Sequence, residues 1–333
     1  MERPVGAFAL AGLVPVEKQV SDTGTRGVGM SSEVISHEAE VRRLQRREGW
    51  KRRLPILPAL LFTIAVTQIP FLFTLFYSLT EWRIDKPDPR QFVGFDNYAS
   101  LAGDKFFRDA AWISVQMTVM AVLGSLIVGT GLALLLDRKF FGQGFIRTLL
   151  ITPFLVMPVV AGFMWKTQMF NATFGVINWV LNTIGIESIE FATKYPLFSV
   201  VVVLIWQWSP FMMLIVLAGL QGQDQSVLEA ARVDGATAWG SFRQITFPQL
   251  RPFLELGTLL GAIYLIQVYD HIEVIVGGQP GAKNLPFYIA QRSIGGGNRF
   301  GLASSYSIIV VIASIIIANI GLRVLSGLLE DDS

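Results

Sequence analysis

Apolar and polar positions in this chain alternate in long blocks, not residue by residue. Six runs rich in Leu, Val, Ile and Phe, at 56–79, 111–136, 146–165, 197–220, 252–276 and 303–325, each come near the roughly 20 residues that a helix needs to cross a bilayer. Their continuity argues against a β-barrel, whose strands alternate over segments of about ten residues. In lipid a spanning segment has to satisfy its own N–H and C=O groups, so all six are predicted to be helices. The pattern therefore predicts an all-α polytopic membrane protein with six transmembrane helices.

The longest polar interruption in the second half is EAARVDGATAWGSFRQITFP, at 229–248. Ser226 stands three residues before Glu229, the spacing of a capping box, which predicts a short helix running through Val233. Gly235 suits the left-handed turn that ends a helix, and Trp239, Phe242 and Ile245 at spacings of three predict a second helix up to Pro248. Helices this short do not hold alone in water, because nucleation costs more than a few hydrogen bonds return. The hairpin is therefore expected to lean on a surface outside this chain.

Composition sharpens the membrane reading. The chain has 333 residues, 52% hydrophobic and 16% charged, with a mean hydropathy of +0.51. A net charge of +2 offers no nucleic-acid footprint, and the absence of Cys removes disulfides, thiolate nucleophiles and Cys-based metal sites. Lys and Arg are arranged by position: Arg42, Arg43, Arg46, Arg47, Lys51, Arg52 and Arg53 crowd just before the first run. Placing the N-terminus inside puts 17 of the 27 basic residues, including Arg138, Arg147, Arg232, Arg243, Arg251 and Arg323, on the cytoplasmic side. Both termini and the 229–248 hairpin are then expected on the cytoplasmic side of the membrane.

The chain falls into four regions: a tail at 1–53 whose true start is read at Met30, a first span with its outer loop at 54–110, a core at 111–325 containing the polar loop 221–251, and a tail at 326–333. The stretch from Ala7 to Val16 is too short, and lacks the basic flank, for a signal peptide.

Candidate chemistry is sparse. No G-x-x-x-x-G-K-[ST] cradle is present, and GGGNRFG at Gly295 misses the dinucleotide pattern because Phe300 stands at its last Gly. His37 and His271 lack ligand spacing, so no metal is expected. Polar groups deep in spans are costly and therefore informative. Tyr264, Gln267 and His271 fall on one helical stripe of the fifth run, and Gln207, Trp208 and Phe211 lie near the middle of the fourth. Amides that donate and accept, beside aromatic faces, suit a polyhydroxy solute; helix-to-helix packing is the competing explanation for each. Gly257 with Gly261, and Ser125 with Gly129, read as close helix contacts, and Pro153, Pro158 and Pro210 as kinks.

Glu229-Ala230-Ala231, then Asp234-Gly235-Ala236, Phe242, Ile245 and Pro248, resemble the EAA motif of permease subunits in bacterial ABC importers; Phe247 replaces the usual Leu before the Pro. GGQPG at Gly277, the Trp206 and Pro210 pair, and WRIDKPDPRQFVGFDNYASL resemble the carbohydrate branch of maltose and glycerol-phosphate permeases, and NLPFYIAQRS with SSYSIIVVIAS is similar to sorbitol and mannitol permeases. The resemblance implies a type I importer permease fold and a transport role without enzymatic activity of its own. It implies a second homologous permease as heterodimer partner, two ATP-binding cassette subunits that bind ATP and Mg, and an extracytoplasmic solute-binding protein. The EAA residues would then couple to the ATPase. Against this stand a secondary transporter or channel working without ATP, and a small membrane enzyme using Asp270 and Glu273. The first would show inverted repeats around a charged midplane site, and the second lacks a nucleophile motif.

Overall fold

A computed structural model describes residues 55–86 and 90–330. The basic cluster at 42–53, His37 and Met30 lie outside the described residues, as does the end of the C-terminal tail. The chain divides into two units at the Ile69–Pro70 junction, inside the first helix, α1, Leu57–Ser78. The second unit, from Pro70 onward, carries every element after that helix.

After α1 come the two-residue strands β1, Thr80–Glu81, and β2, Gln91–Phe92, paired antiparallel, and then α2, Asp96–Gly103. The apolar runs continue as α3, Lys105–Leu136; α4, Gln143–Leu155; α5, Pro158–Met164; and, after the short α6, Val176–Thr183, and α7, Phe191–Lys194, as α8, Pro196–Gln221. Next are α9, Gln225–Val233; α10, Ala238–Ser241; α11, Phe247–Leu265; α12, Asp270–Ile275; α13, Leu285–Ser293; and α14, Phe300–Glu330.

Each of the six predicted runs is helical over most of its length, but two are not single helices. Among the described residues α1, α3 and α8 are each long and apolar enough to cross a membrane. The third run is a bent pair: α4 and the α5 segment meet at 98°. Pro158 causes the break, since the residue before a proline is pushed out of the helical region, and Val156 and Met157 both have extended backbones. The fifth run stops at Leu265 and resumes at Asp270, so the continuous stripe expected for Tyr264, Gln267 and His271 is interrupted.

Three helices meet where side chains are smallest. Met212 on α8 is fully buried. A Cβ on Gly129 would lie 2.7 Å from Met212 Cβ and 2.8 Å from both Met213 N and Ser209 O, and one on Gly261 would lie 2.6 Å from Met212 Cε. Gly257 also faces the Met212 sulfur. The two small-residue pairs therefore do admit close contact of α3 and α11 with α8, which lets dispersion act where lipid offers no hydrophobic drive.

At the other end of α3, Asp104 caps the helix by accepting from the amides of Phe106 (2.9 Å) and Phe107 (3.3 Å). Its second oxygen accepts from the hydroxyls of Tyr288 on α13 and Tyr306 on α14, each at 2.8 Å. Burial pushes this carboxyl up, yet those four hydrogen bonds outweigh it and hold it below the usual Asp range.

Candidate coupling hairpin and solute path

All nine motif residues lie in one hairpin, and they are exposed or half-buried. Its first helix, α9, starts two residues earlier than the capping box predicts. Asp224, not Ser226, is the N-cap: its side chain accepts from the Ser226 amide at 2.9 Å, and this interaction holds the carboxyl below the usual Asp range. At the far end the Ala236 amide donates to Ala231 O (2.9 Å) and the Gly235 amide to Arg232 O (3.1 Å), with Gly235 at φ +82°. That is a Schellman closure, which needs the left-handed conformation glycine allows.

Thr237 then caps α10, accepting from the Gly240 amide at 3.1 Å. The second arm does not end at Pro248. A widened π turn at Phe242–Thr246 joins α10 to α11, so the arm runs from Ala238 to Leu265 without a gap. Pro248 sits in the first turn of α11, where its missing N–H is tolerated. Gln223 Nε2 donates to Thr246 O (3.2 Å) and closes the base of the hairpin. The hairpin exposes Val233 (87%), Trp239 (70%) and Phe247 (48%), with Trp239 stacked on Phe242 at 5.7 Å. A capped lever with exposed apolar groups is thus continuous with the 19-residue helix α11.

The expected solute-path residues separate into two groups. Trp208, Phe211 and Tyr264 join Phe154 of α4, a residue that sequence patterning does not single out, in one aromatic shelf. Ring centroids lie 5.6 Å apart for Phe154 and Trp208, 5.3 Å for Phe154 and Phe211, 5.7 Å for Trp208 and Phe211, and 5.6 Å for Trp208 and Tyr264. Tyr264 is 58% exposed. Gln267 is also exposed and turns its amide nitrogen back onto Ile263 O at 2.9 Å, capping the end of α11. Aromatic faces beside an exposed amide can stack on C–H surfaces and hydrogen-bond hydroxyls.

Gln207 and His271 form the other group. Both are 3% exposed. Gln207 Nε2 donates to Val156 O at 2.7 Å, and its Oε1 is 2.6 Å from His271 Nε2. A carbonyl can only accept, so the amide orientation follows, and Nε2 of His271 is the protonated nitrogen. Neither side chain reaches open space.

Known proteins share this chain's sequence and fold. The family described as "Binding-protein-dependent transport system inner membrane component" matches residues 125–331. A probable ABC transporter permease protein of Sinorhizobium fredii is 34% identical over 227 residues, covering 68% of this chain and 73% of that protein. A sulfoquinovosyl glycerol transport system permease protein of Agrobacterium fabrum is 32% identical over 276 residues, 81% of this chain and 87% of its own length. A trehalose/maltose transport system permease protein of Thermococcus litoralis is 29% identical over 272 residues, 81% and 92%. In fold, the chain superimposes on a crystal structure of a bacterial ABC transporter involved in the import of the acidic polysaccharide alginate, with a TM-score of 0.71 over 85% of this chain and 98% of that one, at 19% identity.

Proposed function

This chain belongs to the family of binding-protein-dependent transport system inner membrane components, and from that premise we propose that it is the permease subunit of an ATP-driven ABC importer for a sugar or sugar alcohol. Membership assigns it to transport, not to catalysis, and sets aside the membrane enzyme and the transporter working without ATP. The observation that carries the reading is the hairpin: a helix capped at both ends, exposing apolar groups, whose second arm continues unbroken into the 19-residue helix α11. Such a lever suits a cleft in an ATP-binding cassette subunit and would pass its closure directly to α11. The sugar class draws support from the relatives, whose names specify trehalose/maltose and sulfoquinovosyl glycerol transport.

In this reading a second homologous permease completes the pathway, two cassette subunits bind ATP and Mg, and an extracytoplasmic binding protein delivers the solute. Both termini and the hairpin face the cytoplasm. Trp208, Phe211, Tyr264 and Gln267, with Phe154, meet the solute along the path.

The test is uptake of labelled trehalose, maltose, sorbitol and mannitol by vesicles holding the full assembly with its binding protein. Uptake of at least one of these, strictly dependent on ATP, is expected; ATP-independent uptake overturns the importer reading. Trp208→Ala should raise KM roughly three- to tenfold, the loss of about 0.5–1.5 kcal/mol of ring contact. An unchanged KM returns the shelf to packing.

A further inference from the structure

We propose that Gln207 and His271 are positioning residues: they fix the hairpin-distal halves of two broken apolar segments onto α8, and they do not touch the solute.

Two of the six apolar runs are broken. At the first break, Val156 and Met157 are extended between α4 and α5. At the second, the residues from Ile266 to Tyr269 separate α11 from α12. A helix break frees backbone carbonyls, and at membrane depth each needs a partner from the protein itself. Both breaks find one in a buried amide side chain. Gln207 donates to Val156 O, and Asn284, 1% exposed, donates to Val268 O while its own oxygen caps α13. Gln207 sits on α8, which runs through its whole length without interruption. Its second contact, His271, is the second residue after the other break. One side chain on an unbroken helix therefore joins the breaks of two different segments.

Beyond the breaks the two halves are packed on each other. A Cβ on Gly162 of α5 would sit 3.3 Å from Val274 of α12, so the helices approach at a glycine. Lys166, in the turn that extends α5, donates to Val274 O at 2.9 Å and closes the end of α12. α5 and α12 thus form a pair closed at one end by Lys166 and held at the other to α8, through Gln207 to Val156 O and to His271. Ile272 and Ile275 of α12 are fully buried in one apolar cluster with Val200, Val203 and Leu204 of α8, so the pair is seated on α8, and the two hydrogen bonds of Gln207 fix its near end there. The aromatic shelf uses Trp208, next to Gln207, and Tyr264, just before the second break, so loosening the pair disturbs the ground beside the shelf.

The experiment uses the whole transporter, with both permeases and the cassette subunits, in lipid nanodiscs. Gln207→Met keeps length but removes both hydrogen bonds, and His271→Leu removes the donor. His271→Gln keeps an N–H at similar reach. Amide hydrogen exchange in 158–164 and in 270–275 should rise together by about tenfold or more in the first two variants, leave α8 unchanged, and fall back toward wild type in His271→Gln. With labelled trehalose and maltose, the maximal uptake rate should fall while KM stays within about twofold, because the solute contacts remain.

Exchange that rises in only one of the two helices, or in neither, overturns the proposal. So does a rise in KM at constant maximal rate, which is the pattern of a direct solute contact. If Gln207→Met fails to insert, the His271→Leu and His271→Gln pair decides the same question by the same readouts. The exchange arm needs no solute, so wild-type failure to carry either sugar would count against the substrate reading and leave this one to the exchange result.

Discussion

Gly129 and Gly235 are the same residue at opposite extremes of this molecule. Gly129 is buried in α3, where an added Cβ would strike Met213 N and Ser209 O, two backbone atoms of α8 that no rotamer change can move. Gly235 is exposed, with no atom within 4 Å of an added Cβ, yet its φ of +82° is one that a branched side chain resists. The first glycine exists so that two helices can touch, and the second so that a chain can turn. The contrast divides the protein into a region whose shape is set by packing and a region whose shape is set by local backbone chemistry. Damage to the first should remove the folded protein. Damage to the second should leave it in the membrane, disconnected.

The largest expected effect comes from Gly129→Ala. A forced displacement of α8 costs about 1–3 kcal/mol or more, and it should sharply reduce the folded protein that can be extracted from membranes. Gly131, two residues on, meets nothing within 4 Å, so Gly131→Ala should be neutral or stabilise by about 0.5–1 kcal/mol through backbone entropy. Opposite signs at the two sites, read by thermal stability in detergent, keep the packing explanation; equal behaviour ends it.

Next in size is Gly235→Val, at roughly 1–2 kcal/mol, confined to the closure of α9. The protein should insert and assemble normally and yet lose ATP-driven uptake. Normal transport by this variant with the cassette subunits bound would mean that the hairpin is not the lever.

The smallest effect tests the same hairpin by pH. The Asp224 carboxyl titrates below its usual value because the Ser226 amide and hydroxyl donate to it. Its contribution to α9 is therefore complete above the unfolded value of about 4 and is lost as pH falls through the lowered folded value. Protection of the Ser226 and Val227 amides, the exchange rate taken relative to the intrinsic rate at the same pH, should fall only in acid, whereas Asp224→Asn, still a good cap, should show a flat protection profile. A change near neutral pH would point to another group.

Much of this was legible without coordinates. The apolar blocks foretold helices at the right places, and the spacing from Glu229 through Gly235 to Pro248 located the hairpin and its turn. Local rules succeed there because caps and turns are contacts between near neighbours in sequence. The same rules misjudged the cap itself, since Asp224 and Ser226 are both competent acceptors and only geometry chooses between them. They also carried Tyr264, Gln267 and His271 along one helix, because nothing in a run of apolar residues announces that its hydrogen bonds stop at Leu265. Pro158 did announce a disturbance, but a kink and a 98° bend have the same local signature.

The class of protein, the places where helices form and the hairpin at 229–248 all follow from the order of amino acids alone. They rest on bilayer thickness, backbone self-satisfaction in lipid, and capping chemistry, each of which acts within a segment. Packing in three dimensions decides which polar groups face the path and which face each other. Gln207 is a solute-path candidate in sequence and the partner of Val156 and His271 in space, because a half-buried carbonyl freed by a helix break is met by whichever amide lies across from it, 51 residues away in the chain.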